Sequence, residues 1–148
     1  KAKLEMAGQM GATHFVNASE VDDVVAAVKE LSGGGVDYSF EAIGRAATVR
    51  QAFDMLAMGG TATVIGMVPS KDVVQLRGID FLQEKKLQGS MMGSNQFRTD
   101  IPRMIDMYLS GRLLLDEMVS ATIGLEGVND GYEMMKRGEV ARTVITFD

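Results

Sequence analysis

An α/β fold with a parallel sheet is what this sequence predicts, and three observations carry that prediction. Apolar residues recur at helical spacing in two stretches, 21–31 and 45–58, and each stretch is followed by a short run that reads as a strand. Glycines punctuate the boundaries, at Gly11, at Gly33-Gly34-Gly35 and at Gly59-Gly60. Strands that alternate with helices favour parallel pairing through right-handed crossovers. The 148 residues are 46% hydrophobic, enough for one ordinary core, since a chain of this size buries roughly 70% of its unfolded surface.

Leu4, Ala7 and Met10 stand at helical spacing and Gly11 supplies a stop, so the opening reads as the last turns of a helix. His14-Phe15-Val16 reads as a short strand. The S-x-x-D signal from Ser19 to Asp22 predicts a helix start, and Val21, Val24, Val25, Val28 and Leu31 give that helix its apolar stripe. VDYSFEA over 36–42 alternates apolar with polar and reads as a strand. Val49, Ala52, Phe53 and Leu56 mark the next helix, 45–58, closed by Gly59-Gly60. TATVIGM over 61–67 is rich in β-branched residues and runs into a loop at Gly66 and Pro69, as a buried strand does.

The second half has another rhythm. KKLQGSMM over 85–92 reads as a strand, and Thr99 is expected to cap a helix bearing Ile101, Met104, Ile105, Tyr108 and Leu109, with Gly111 at its stop. A strand near 118–122, a helix over about 125–137 and a strand over 143–147 complete the pattern. The chain opens on lysine inside a helical pattern, which leads us to expect a longer gene product.

Composition excludes several classes of function. The absence of cysteine removes disulfides, a CxxC redox pair, a thiolate zinc site and a cysteine nucleophile, and a single histidine leaves little metal chemistry. Twenty acidic against fifteen basic residues, a formal charge of −5, argue against nucleic acid, whose binding needs a basic surface. No apolar run is long enough to span a membrane, and the first ten residues mix charge with apolar side chains, unlike a secretory signal. A soluble, cytoplasmic protein is expected.

A dinucleotide-binding unit needs a G-x-G-x-x-G turn after its first strand. Gly33-Gly34-Gly35 instead follows a helix and precedes a strand, which is the order of a plain loop. What remains are strand ends with small residues: EAIGR at 41–45, VIGMVP at 64–69 and GSMMG at 89–93. Open parallel sheets bind ligands outside the carboxyl ends of their strands, where backbone groups are free. Such turns also need small residues for purely structural reasons, and both readings stand at this point. His14 and Glu41 have no visible acid/base partner, and Asp22-Asp23 reads as an acidic first helical turn at the positive end of the helix dipole.

Four blocks together resemble one family: GGGVDYSFEAIGR, GGTATVIGMVPS, EKKLQGSMMGSN and the ending RGEVARTVITF. They are similar to the zinc-containing alcohol dehydrogenases of the medium-chain dehydrogenase/reductase superfamily, and most of all to the class III, glutathione-dependent formaldehyde dehydrogenase type. The resemblance runs through essentially the whole chain. It implies the C-terminal portion of such an enzyme: a partial Rossmann-type, doubly wound parallel sheet over 1–93, the second half of the cofactor domain, and helices and strands over 94–148 that return to the catalytic domain. Zinc ligands, the Gly-rich turn and the acidic residue for the adenosine ribose would all lie upstream.

Residue by residue, the resemblance implies cofactor contacts for eight positions. Lys3 matches the basic residue near the adenosine ribose, although a solvated helix lysine looks the same. Ile43 matches a carbonyl and an apolar side chain beside the nicotinamide ribose. Arg45 matches the arginine that covers the adenine, where its plane can stack, and it also suits an exposed helix start. Gly66 matches an N–H toward the nicotinamide ribose, where glycine allows close approach. Ile65, Ser90 and Met92 match main-chain contacts to the nicotinamide carboxamide. Arg142 matches the arginine that reaches the pyrophosphate, against the alternative of a surface ion pair. Met67 and Met91 match the substrate pocket, and Leu82 a position that a second subunit can supply; core packing is the competing reading for the methionines.

The expected function is hydride transfer between an alcohol or aldehyde and NAD in a zinc-dependent enzyme. No catalytic residue and no metal ligand falls in this chain, which alone is expected to be inactive. The expected partners are the small-molecule substrate and a second copy of the chain, paired through the cofactor domain. A zinc-free quinone or enoyl reductase of the same superfamily, and a non-catalytic nucleotide-binding or assembly module, are the alternatives.

Overall fold

A computed structural model describes residues 2–147 of the chain. The helices are α1 (Ala2–Gln9), α2 (Val24–Leu31), α3 (Ala46–Asp54), α4 (Phe97–Leu109) and α5 (Val128–Lys136). The strands are β1 (Val36–Glu41), β2 (Leu56–Val64), β3 (Lys86–Gly89), β4 (Val119–Ile123) and β5 (Arg142–Ile145). By internal packing the chain divides into two compact units, Val16–Asn95 and a second made of Lys1–Phe15 with Gln96–Asp148.

In the unit Val16–Asn95, β1, β2 and β3 form a three-stranded sheet in that order, with both pairings parallel. The α/β reading of the sequence is confirmed, and the strand order is that of one half of a doubly wound sheet. The helix over 21–31 begins later than the Ser19 signal suggests. Asp23 is its cap, in an extended conformation, and Asp23 Oδ1 accepts from Val25 N at 2.9 Å and Ala26 N at 3.0 Å. Ser19 is taken up instead by Asn17, whose Oδ1 accepts both its N–H and its hydroxyl.

β1 alternates as read, and α3 lies against its polar side. Ser39 and Glu41 are buried, while Tyr38 and Phe40 are 71% and 67% exposed. The small Ser39 hydroxyl donates to the Ala52 carbonyl at 2.7 Å, which draws α3 onto this face. The helix ends at Asp54, well short of Met58, because the next residues already pair with β1: Val36 faces Leu56, and the register then slips so that Tyr38 faces Thr61. The slip absorbs residues 57–60, and β2 is longer at its start, and shorter at its end, than the expected 61–67.

The core of this unit is Ala52, Phe53, Leu56 and Ala62, with Val36, Leu76 and Leu87 packed around it. Phe53, at 0% exposure, stacks obliquely on Phe81 with ring centroids 5.0 Å apart, and Lys85 Nζ stands 5.7 Å above its ring. The short 3₁₀ turn Gly78–Gln83 that carries Phe81 is pinned by Arg77, whose guanidinium donates to both oxygens of the buried Asp80. β3 is confined to Lys86–Gly89, the four residues that pair with β2.

The expected strand at His14-Phe15-Val16 does not form, because no strand among the described residues lies beside it. Phe15 turns instead onto α1, where its ring packs against Gly8. The second unit holds β4 and β5, a parallel pair, with α5 across them; Gly131 of α5 lies directly against Ile123. α4 is capped at Gln96, not at Thr99, and the Asp100 carboxylate accepts from the Gln96 N–H at 2.7 Å. Its apolar stripe of Ile101, Met104, Ile105 and Leu109 is exposed. No helix among the described residues is long and apolar enough to cross a membrane.

Candidate cofactor site

Parallel strands bring their carboxyl ends to one side, and in the unit Val16–Asn95 that side carries three turns: 42–45 after β1, 65–67 after β2 and 90–95 after β3. The ends of the ladder are tied together by backbone bonds. Glu41 O accepts from Ile65 N at 2.8 Å and from Gly66 N at 2.9 Å, and Val64 O accepts from Ser90 N at 2.9 Å.

Glu41 governs the first two turns. It is the last residue of β1 and only 3% exposed. Its Oε1 accepts from Gly44 N at 2.8 Å, Ile43 N at 2.9 Å and Thr48 Oγ1 at 2.6 Å, while Oε2 is buried without a hydrogen-bond partner. Burial pushes the carboxyl up, but the Thr48 hydroxyl and the amides of Gly44, Ile43 and Arg45 outweigh it and hold Glu41 below the usual glutamate value. It is therefore an ionised group at neutral pH, spent on shaping the turns.

The two turns then touch through glycine. Gly44 has φ of +87°, and a Cβ there would lie 2.5 Å from the Met67 carbonyl oxygen. A Cβ on Gly66 would collide with the Gly44 amide and come within 2.5 Å of Glu41 Oε2. Glycine at 66 serves the approach of the neighbouring turn. Its N–H, which the resemblance assigns to the cofactor ribose, donates to Glu41 O in this structure.

Around this frame the structure gathers Ile43, Arg45, Ile65, Gly66, Met67, Ser90, Met91 and Met92 at one end of one sheet. Ile43, Ile65, Met91 and Met92 are exposed, and Met67 is 93% exposed, so this end presents a broad apolar surface. Among the described residues, no turn or loop hydrogen bond uses the Ile65 carbonyl or the Met92 N–H, and the Ser90 carbonyl opens the 3₁₀ turn Met91–Ser94. Main-chain acceptors and a donor beside an apolar surface suit a flat aromatic ring that bears a primary carboxamide, such as nicotinamide. Arg45 caps α3 through its backbone, and its side chain is exposed.

Three expected site residues lie elsewhere. Leu82 belongs to the 3₁₀ turn that leads into the start of β3, at the opposite end of the parallel sheet from the three turns, and it is exposed. Lys3, on α1, and Arg142, the first residue of β5, both belong to the other unit, and both are exposed. Among the described residues no three His, Asp or Glu side chains come together as a metal site, so the residues present do not fit a zinc ion.

Sequence reading missed Glu41, Thr48 and the loop residues Ser94 and Asn95. An acidic residue on the buried side of β1, three residues before a glycine, was the available signal for the first.

Comparison with known proteins agrees with this geometry. The family profile described as zinc-binding dehydrogenase matches residues 1–110. The chain is 36% identical over 154 aligned residues to an alcohol dehydrogenase class-3 of Cereibacter sphaeroides, covering 99% of this chain and 41% of that protein. It is 30% identical over 152 aligned residues to an S-(hydroxymethyl)glutathione dehydrogenase of Paracoccus denitrificans, covering 98% of this chain and 40% of that one. Among solved structures, benzyl alcohol dehydrogenase from Acinetobacter calcoaceticus superposes with a TM-score of 0.91 at 29% identity, over 99% of this chain and 40% of the other. The chain thus spans about 40% of the length of the relatives it matches. Its partial Rossmann-type sheet and the match over most of its length establish that the chain belongs to the zinc-binding dehydrogenase family.

Proposed function

We propose that this chain is the cofactor-positioning portion of a zinc-dependent, NAD-linked alcohol dehydrogenase. The observation that carries this reading is the convergence of three turns, 42–45, 65–67 and 90–92, at the carboxyl end of one parallel sheet, with the main-chain carbonyls of Ile65 and Ser90 and the N–H of Met92 at that end. When bound, the nicotinamide supplies the hydride acceptor or donor. Ile43 and Ile65 offer an apolar bed for the ring, and these main-chain groups fix its carboxamide. Met67 and Met91 line the alcohol side, where adaptable thioethers accept a bulky substrate. Arg45 serves the adenine side, and Lys3 and Arg142 supply positive charge to the ribose and pyrophosphate.

Zinc is expected by analogy with the relatives. It is assigned to the part of their length that this chain does not match, and no step here runs through it. The same reading divides the chain into cofactor-domain residues 1–93 and a returning segment, 94–148. It pairs two copies through the cofactor domain, with Leu82 reaching the partner's site, in a cytoplasmic enzyme.

The test is turnover. The purified 148-residue chain, given NAD, zinc and a panel of primary alcohols, is expected to produce no NADH, whereas the longer gene product produces it in a zinc-dependent manner. Alcohol oxidation by the 148-residue chain alone, or none by the longer product, contradicts the proposal.

A further inference from the structure

The loop after β3 is the most strained segment of the described chain. Met92 (φ 48°, ψ 39°), Gly93 (φ 72°, ψ 13°) and Ser94 (φ 51°) form three successive left-handed residues, two of which carry side chains. A side chain in this region crowds its own backbone, so such a run persists only where its surroundings hold it. Both Met92 and Ser94 are exposed, so core packing is not what holds them.

Two side-chain hydrogen bonds do. Asn95 Nδ2 donates to the Met92 carbonyl at 2.5 Å, and the Ser90 and Ser94 hydroxyls are 3.0 Å apart across the loop. Ser90 N, donating to Val64 O, fastens the base of the loop to β2. The Asn95 contact holds the Met92–Gly93 peptide, and the left-handed φ and ψ at Met92 fix how that peptide is turned relative to the Met91–Met92 peptide, which carries the Met92 N–H. Nothing about the cofactor contact requires a side chain at 95, because the groups proposed to meet the carboxamide are main-chain.

We propose that Asn95 is a positioning residue, which holds Met92 left-handed so that its N–H stays open to the nicotinamide carboxamide. The inference rests on the cofactor reading above, and adds that the strained geometry is imposed from outside the contacting residues, by a side chain that never touches the cofactor. Losing the lock is expected to let Met92 relax to negative φ and to weaken the nicotinamide end alone. A glycine at 92, which adopts positive φ without a Cβ penalty, is expected to restore the loop when the lock is gone.

The test uses isotope-labelled 148-residue chain in solution NMR, with carbon chemical shifts and scalar couplings reporting φ at Met92, and nicotinamide mononucleotide and AMP as separate probes. Wild type is expected to show a left-handed Met92 and to shift the Ile65, Ser90 and Met92 signals on adding the mononucleotide. Asn95→Ala is expected to lose the left-handed signature, with mononucleotide affinity at least fivefold weaker and the AMP response unchanged. Met92→Gly combined with Asn95→Ala is expected to return affinity to within twofold of wild type.

A left-handed Met92 that survives Asn95→Ala overturns the lock, whatever the ligand does. Equal mononucleotide affinity in wild type and Asn95→Ala, or no recovery in the double variant, overturns the positioning role. If Met92 relaxes in Asn95→Ala but the mononucleotide moves no signal between 65 and 92 in wild type, the cofactor reading itself fails and takes the positioning role with it.

Discussion

Thr48 donates a 2.6 Å hydrogen bond to Glu41 Oε1, and this contact fastens the end of β1 to the first turns of α3. The same oxygen accepts the Ile43 and Gly44 amides, so one carboxylate defines the turn between strand and helix. Replacing Glu41 by Gln removes the charge from three hydrogen bonds in a buried setting and is expected to cost about 2 kcal/mol of folding stability at neutral pH. Chemical denaturation of the two proteins measures it.

The acid limb of stability follows from the same group. The native carboxyl sits below its unfolded value, so the unfolded chain binds more protons as pH falls. The contribution of Glu41 is therefore complete above the unfolded value and is lost as pH drops through the native one. Thr48→Val removes a hydrogen bond to the charged form, raises the native carboxyl value and is expected to shift this loss to higher pH. Denaturation midpoints measured from neutrality down through about pH 5 into the acid range show a shallower fall for Glu41→Gln than for wild type.

Gly66→Ala places a methyl group against the Gly44 amide and Glu41 Oε2. Backbone gives little, so the two turns must part, at an expected cost of about 2 kcal/mol. Thermal melts read the loss directly. Because the strain falls on Gly44 and Met67, amide signals of those residues shift most in the variant.

How much of this was legible beforehand differs by element. The parallel α/β arrangement followed from strands alternating with helices, and the ends of β1, β2 and β3 were already marked as the ligand-facing turns. Helix and strand boundaries were less readable where tertiary pairing overrides local pattern. The stripe through Leu56 fits a helix, yet Leu56 opens β2 because Val36 pairs with it. The run at His14-Phe15-Val16 is a plausible strand, but a strand needs a neighbour, and Phe15 finds α1 instead. The role of Glu41 was hidden for a different reason. Its partners are backbone amides, which no side-chain pattern announces.

Phe53 sits at 0% exposure between the sheet and the Phe81 ring, so truncation leaves a cavity that rigid neighbours cannot fill. Phe53→Ala is expected to destabilise the chain by about 4 kcal/mol, enough to leave a domain of ordinary stability largely unfolded on warming. Circular dichroism melts of the two proteins check it.

Arg142 separates binding from stability. Its side chain is exposed and has no ion-pair partner among the described residues, so Arg142→Ala is expected to change folding stability by no more than about 0.5 kcal/mol. If Arg142 makes the charge-assisted pyrophosphate contact proposed for it, its loss is expected to weaken NADH binding by about tenfold. Calorimetric titration of NADH into the full-length enzyme proposed above, alongside a melt, distinguishes the two effects.

The most direct measurement is hydrogen–deuterium exchange of the full-length enzyme proposed above with and without NADH, resolved along this chain. Slowed exchange concentrated in 42–45, 65–67 and 90–95 is the result expected if the three turns hold the nicotinamide end. Protection elsewhere with these turns unchanged, under conditions where NADH is bound, contradicts it.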